Sequence, residues 1–160
     1  MKKVVVAGLT ALVLSSAIQA KEEAVSLSTK SYKEIVSLDA SGAKKVVLEE
    51  AKKVVPGDFV VYKNAISNNS KKSVENMVLN NAIPEHTEYV GESAKCEKDC
   101  DILFSIDGGK KFAKADSLMV GSGNQQRLAM PKEYTNVRWI LTSALDAKSI
   151  TNVSFKTRLQ

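Results

Sequence analysis

Val137-Arg138-Trp139-Ile140-Leu141 and, beyond the turn Asp146-Ala147-Lys148-Ser149, Val153-Ser154-Phe155-Lys156-Thr157-Arg158-Leu159 decide how this chain folds. In the first segment Val137, Trp139 and Leu141 share one side of an extended strand, while Arg138 points to the other. In the second, Val153, Phe155, Thr157 and Leu159 alternate with Ser154, Lys156 and Arg158. A period of two over both segments predicts antiparallel sheet with one face buried and the other wet. One apolar sheet face must be covered by another, so the expected fold is an all-β sandwich with Tyr62, Trp139 and Phe155 as its core aromatics.

The same pattern extends upstream. Phe59 to Asn68 reads as a strand, with Val60, Tyr62 and Ile66 on one face and Asn64 interrupting it. A buried Asn64 would need a hydrogen-bond partner. Asn68-Asn69-Ser70-Lys71-Lys72 reads as a turn and Val74 to Leu79 as the next strand. Thr87 to Val90 and Ile102 to Ile106 follow as strands, and Phe112 restarts the sheet after the tight turn Asp107-Gly108-Gly109. Ile35-Val36-Ser37-Leu38 and Lys45-Val46-Val47-Leu48 form a hairpin around Asp39-Ala40-Ser41-Gly42. Val47, Leu48, Ala51, Val54 and Val55 also fit a helical stripe, but β-branched residues and Pro56 immediately afterwards favour strand. Residues 114–132, containing Gly121-Ser122-Gly123-Asn124 and Pro131, are the longest stretch read as irregular.

The first residues, MKKVVVAGLTALVLSSAIQA, have a positive start at Lys2 and Lys3, an uncharged run from Val4 to Ile18, and small residues before Lys21. This is the three-part pattern of a secretory signal peptide, expected over residues 1–20 with cleavage after Ala20, or after Ala17 as the fallback. The apolar run falls short of the roughly 20 residues that cross a bilayer, so no transmembrane anchor is expected. The expected organisation is a signal peptide at 1–20, a polar segment at 21–33 and one domain at 34–160. The expected location is outside the cytoplasm: periplasm first, cell surface or medium otherwise.

Composition narrows the function. The formal net charge is +5, and loss of Lys2 and Lys3 leaves a mildly basic surface. The lysines fall in separate pairs, Lys44-Lys45, Lys52-Lys53, Lys71-Lys72 and Lys110-Lys111, and the arginines are Arg127, Arg138 and Arg158. A nucleic-acid reader gathers arginines and aromatics on one face, so no nucleic-acid partner is expected. Lysines beside turns protect sheet edges from aggregation. Cys96 and Cys100 are expected to form a disulfide that clamps a hairpin in an oxidising compartment.

Catalytic and metal chemistry find little material. His86 is the one histidine and sits in a loop, so a nucleophile activated by an imidazole base would have to be built around it. Glu49, Glu50, Glu97, Asp99 and Asp101 lie in polar stretches that supply no reason for a raised pKa. A non-enzyme without a cofactor is expected. The alternative reading is a periplasmic metal or small-ligand binding protein using the Cys96/Cys100 hairpin, with Met119, Met130 and His86 completing a soft copper site. Asp99, Asp101 and Asp107 lack the spacing of a calcium loop, and turn chemistry accounts for Asp107.

A family resemblance emerges from the order of these blocks. Pro56-Gly57-Asp58 leading into the strand with Tyr62 and Asn68, and Asn76-Met77-Val78-Leu79-Asn80-Asn81-Ala82-Ile83-Pro84, are its first two parts. Tyr89-Val90-Gly91-Glu92-Ser93, then Ser105-Ile106-Asp107-Gly108-Gly109-Lys110-Lys111-Phe112, and the closing strands with Trp139 and Val153-Ser154-Phe155 complete it. In this order they resemble a bacterial repeat domain known as domain of unknown function number eleven, over roughly residues 35–159. Asn81 stands where that family commonly has Asp, and Asn64 where an apolar residue is usual. The resemblance implies an immunoglobulin-like sandwich in an envelope or surface protein and transfers no catalytic residue. The function expected is an exported module that binds or helps assemble another envelope or surface protein. Residues 114–132 and the loop Pro84-Glu85-His86-Thr87 are the expected contacts.

Overall fold

The computed structural model describes residues 24–160. The expected signal peptide at 1–20 and the first residues of the polar segment lie outside the described residues. Among those described, no helix is long and apolar enough to cross a membrane.

Eleven strands carry the fold: β1 (Val25–Leu38), β2 (Lys44–Glu50), β3 (Phe59–Asn68), β4 (Val78–Ala82), β5 (Thr87–Tyr89), β6 (Lys95–Cys96), β7 (Cys100–Ser105), β8 (Met119–Val120), β9 (Arg127–Leu128), β10 (Asn136–Leu141) and β11 (Ile150–Leu159). One sheet has the order β2-β1-β3-β11-β5, with β6 also pairing β11. The second has the order β4-β10-β7, and β8-β9 form a separate ribbon. Every pairing is antiparallel. The chain is an all-β, immunoglobulin-like antiparallel sandwich.

Alternation places the core. Thr151, Val153, Phe155 and Thr157 of β11 are buried, as are Val137, Trp139 and Leu141 of β10. Trp139 crosses to Phe155 with ring centroids 5.9 Å apart, which joins the two sheets at their centre. Leu145 is fully buried in the turn after β10, where it bridges Val74. Tyr62 is only half-buried: it stacks on Phe155 at 5.0 Å from the margin of the core rather than within it. It packs against the core from its edge, because β3 turns Val60, Asn64, Ile66 and Asn68 inward more completely.

Other differences concern boundaries. Strand β1 begins at Val25, so the boundary drawn at residue 34 falls inside a strand. The sequence of its first half reads as polar because Ser26, Ser28 and Lys30 alternate with Val25, Leu27 and Thr29. The segment expected as a strand from Val74 is regular only from Val78, with Val74 contributing a single bridge. Phe112 does not restart the sheet; the bridge lies at Ala113, opposite Phe104. Phe112 instead lies beneath the Arg138 guanidinium, 3.6 Å from its ring centroid. Gly108 and Gly109 do take positive φ values of 74° and 84°, which the tight turn requires. Asp107 Oδ1 holds that turn by accepting hydrogen bonds from Ser105 Oγ and from the Lys110 and Lys111 N–H groups.

Cys96 and Cys100 are joined by a disulfide, as expected of this pair in an oxidising compartment. It is not a clamp within one hairpin. Cys96 on β6 pairs Val153 in the larger sheet, whereas Cys100 on β7 pairs Leu141 in the smaller one. The bridge pins the point at which the chain leaves one sheet for the other. Closing so short a loop restricts the unfolded chain by about 2 kcal/mol. Reduction, or the double replacement Cys96→Ala/Cys100→Ala, is expected to lower the unfolding free energy by that amount in urea denaturation. No change would show that the crossover is held by its strand pairings alone.

Candidate interaction edge and apolar seam

Strand β1 is paired on both sides only near its middle. It meets β3 from Val25↔Asn68 to Lys33↔Val60, and β2 from Tyr32↔Glu50 to Leu38↔Lys44. Residues 25–31 therefore have no strand on their outer side among the described residues. The directions of their backbone groups follow from two hydrogen bonds. The Ser31 carbonyl accepts from Ala51 N–H on the β2 side, and the Ala24 carbonyl accepts from Asn69 N–H on the β3 side. Antiparallel alternation then aims the N–H and C=O groups of Val25, Leu27 and Thr29 outward, away from β3. This edge carries no charge from Ala24 to Thr29 and no proline, so it lacks the usual devices that discourage pairing.

A cleft of about 110 Å³ opens beside that edge, between the two sheets. Val25 and Leu27 form one lip, Val78 and Leu79 of β4 the other, and Trp139 and Leu141 its floor. All its lining residues, which also include Ile66 and Met77, are apolar. Leu27 is 52% exposed and Val78 53%, unusual values for aliphatic side chains at the mouth of a core. Strand β4 is itself an edge of the smaller sheet, so the seam is flanked by two strand edges, each paired on its inner side alone. Among the described residues, Trp139 Nε1 has no hydrogen-bond partner.

The segments expected as contacts lie elsewhere. Within 114–132, Leu118 and Ala129 are buried anchors, whereas Met119, Leu128 and Met130 are exposed. The stretch is more ordered than its composition suggested: Met119 pairs Leu128 across the β8-β9 ribbon. Arg127 clasps Glu133 through two nitrogen–oxygen contacts of 2.7 Å, and Glu133 also accepts from Met130 N–H. The Arg127 hydrogen bond, followed by that backbone donor, holds the Glu133 carboxyl at about 2. Because its pKa is depressed on folding, the clasp contributes fully above the unfolded value near 4.5 and is lost as pH falls toward 2. The protection factors of the amides in residues 126–133, which allow for the intrinsic pH dependence of exchange, are expected to fall across that window. Glu133→Gln is expected to remove this change in protection, and a loop equally protected at pH 6 and pH 2.5 would contradict it.

His86 is exposed in the loop 84–87 with φ 60°, and Thr87 closes that loop by donating from Oγ1 to the Pro84 carbonyl. Nothing brings His86 together with the cysteines. The disulfide withdraws both sulfurs from metal ligation, so the copper reading is not carried forward. Among the described residues no group of three or more His, Cys, Asp or Glu is placed to hold a metal ion. Asn64 is fully buried and accepts from Thr29 Oγ1 at 2.7 Å, a structural partner for the polar interruption in β3. The seam itself was missed in the sequence. Its one signal was the uncharged run Ala24-Val25-Ser26-Leu27-Ser28-Thr29 within a segment otherwise rich in lysine and glutamate.

No family model matches the chain, and no curated protein matches it. A solved structure that does match is that of a candidate membrane-anchored protein from Corynebacterium diphtheriae, with a TM-score of 0.50 at 18% identity. The match covers 86% of this chain but 28% of that one, so this chain spans little more than a quarter of its neighbour's length. At such identity the likeness is one of fold: the sandwich recurs as one part of a larger protein.

Proposed function

We propose that this chain is an exported, non-enzymatic immunoglobulin-like module, related to the bacterial repeat domain of unknown function number eleven, that holds another envelope or surface protein by strand addition. The observation that carries this reading is the unpaired, uncharged edge of β1 beside an apolar seam. In strand addition, main-chain hydrogen bonds supply affinity and alternate side chains entering a cleft supply selectivity. The outward groups of Val25, Leu27 and Thr29 offer the first, and the cleft over Trp139 and Leu141 offers the second.

A photo-crosslinking amino acid at Ser28, compared with one at Lys63, tests the proposal in intact cells. Adducts are expected at Ser28 and not at Lys63. Leu27→Pro should abolish them, because it removes an outward N–H without touching the β3 ladder. Adducts of equal yield at both positions, or adducts that persist in Leu27→Pro, would sink the idea.

A further inference from the structure

The outer face of the larger sheet, opposite the seam, holds a second and chemically different feature. A cleft of about 510 Å³ lies there, with Val46 and Leu48 of β2 as one wall and the Val90–Ser93 loop as the other. A neighbouring cleft of about 420 Å³ extends toward Glu97 and Asn152. The two share three residues, Lys63, Lys95 and Ser154. These form one cross-strand row, since Lys63 on β3 pairs Ser154 on β11, and Ser154 pairs Lys95 on β6. Two strand spacings put the lysine Cα atoms about 10 Å apart, so both side chains can reach a group seated above Ser154.

The charges around this row are unequal in their commitments. Lys156, next along β11, is held by Glu34 at 2.6 Å. Among the described residues no carboxylate lies within 4 Å of the Lys63 or Lys95 ammonium. Lys63 rests 5.5 Å from the centre of the Tyr32 ring, which steadies the side chain without neutralising it. Glu97, at the far end, is occupied in accepting from the Asn152 backbone and side chain. The trough is therefore positive at its middle, carries Glu92 and Glu97 at its margins, and is apolar along the β2 wall.

We propose that Lys63, Ser154 and Lys95 seat the phosphate of a phosphomonoester whose apolar body lies against Val46 and Leu48. Two unneutralised ammonium groups and a hydroxyl match a doubly charged, tetrahedral oxyanion; a carboxylate would leave one lysine unpaired. Glu92 and Glu97 disfavour further negative charge on the ligand, which selects against nucleic acids and other polyanions. Dihexanoyl phosphatidic acid, a soluble phospholipid, satisfies both halves of the site.

Titration of the intact chain, followed by amide chemical shifts, tests this with dihexanoyl phosphatidic acid, glycerol 3-phosphate and dihexanoyl phosphatidylcholine. Saturable binding of phosphatidic acid is expected, about tenfold weaker binding of glycerol 3-phosphate, and no measurable binding of phosphatidylcholine. Lys63→Gln/Lys95→Gln should weaken both phosphomonoesters at least tenfold, since two ion pairs are lost. Val46→Ser/Leu48→Ser should remove only the advantage of the acyl chains. Lys63, Lys95 and Val46 are exposed and Leu48 is half-buried, and an unchanged near-ultraviolet spectrum would exclude misfolding. Equal affinity for glycerol 3-phosphate and phosphatidic acid would overturn the apolar half and identify a soluble phosphomonoester. Absence of saturable binding, or indifference to Lys63→Gln/Lys95→Gln, would overturn the site altogether.

Discussion

Replacing Trp139 with alanine is expected to lower the unfolding free energy by about 3–5 kcal/mol, the range for truncating a buried large aromatic. Trp139 is fully buried, packs on Phe155 from the opposite sheet, and floors the seam between Leu27 and Val78. Its removal would deepen an opening that already reaches the surface. Urea denaturation followed by far-ultraviolet circular dichroism measures the change. Trp139→Phe is expected to cost much less, because it keeps an aromatic ring and removes an N–H that has no partner. Equal losses in the two variants would mean that Trp139 Nε1 makes a bond absent from this arrangement. An unchanged midpoint in Trp139→Ala would refute the placement of this side chain at the centre of the sandwich.

Asn68 is expected to produce the largest polar effect. It is 1% exposed at the end of β3, where its two side-chain N–H groups are shared among the carbonyls of Lys72, Leu145 and Asp146 at 2.8–3.0 Å. Its Oδ1 accepts from the N–H and hydroxyl of Ser70. One side chain thus ties the 69–72 turn to the turn that follows β10. Asn68→Ala is expected to cost about 2–4 kcal/mol. The loss stays moderate because the Leu145 carbonyl keeps Val74 N–H and the Asp146 carbonyl keeps Ser149. Asn68→Asp should be worse at neutral pH, since a carboxylate would face three carbonyls with nothing to donate. Recovery of Asn68→Asp on acidification, as its carboxyl gains a proton, would separate this cause from loss of shape. If Asn68→Asp is as stable as the parent, the carbonyl bridge contributes nothing.

Which parts of this molecule were legible before its structure depends on how far each signal reaches along the chain. Strand β3 matches its expected limits, Phe59 to Asn68, and β10 and β11 follow the alternation of Val137-Trp139-Leu141 and Val153-Phe155-Thr157. Each needs only its own residues to declare two faces. Strand β1 was half hidden, because Leu27 at the mouth of the seam and Thr29, bonded to Asn64, interrupt the expected run of buried aliphatics. The bond between Cys96 and Cys100 was legible as a cysteine pair expected in an oxidising compartment, but its role between sheets was not. That role depends on β6 choosing β11 and β7 choosing β10, pairings set by residues some 40 to 60 positions away. The Lys63-Ser154-Lys95 row was invisible for the same reason: no window of sequence contains it.

The register of β3 has a mechanical consequence. β1 and β11 both run antiparallel to β3, one on each side of it, and hence parallel to each other. Val25 lies at the Asn68 end of β3 and Arg158 at the Phe59 end. Tension applied between these outer strands would therefore pull them in opposite directions past their shared neighbour. The ladder bonds lie across the strands, so they would be loaded together in shear instead of being peeled apart singly. Forced unfolding is governed by the barrier to rupture rather than by equilibrium stability. Held by its two ends, such a sandwich would resist stretching far better than its modest core implies.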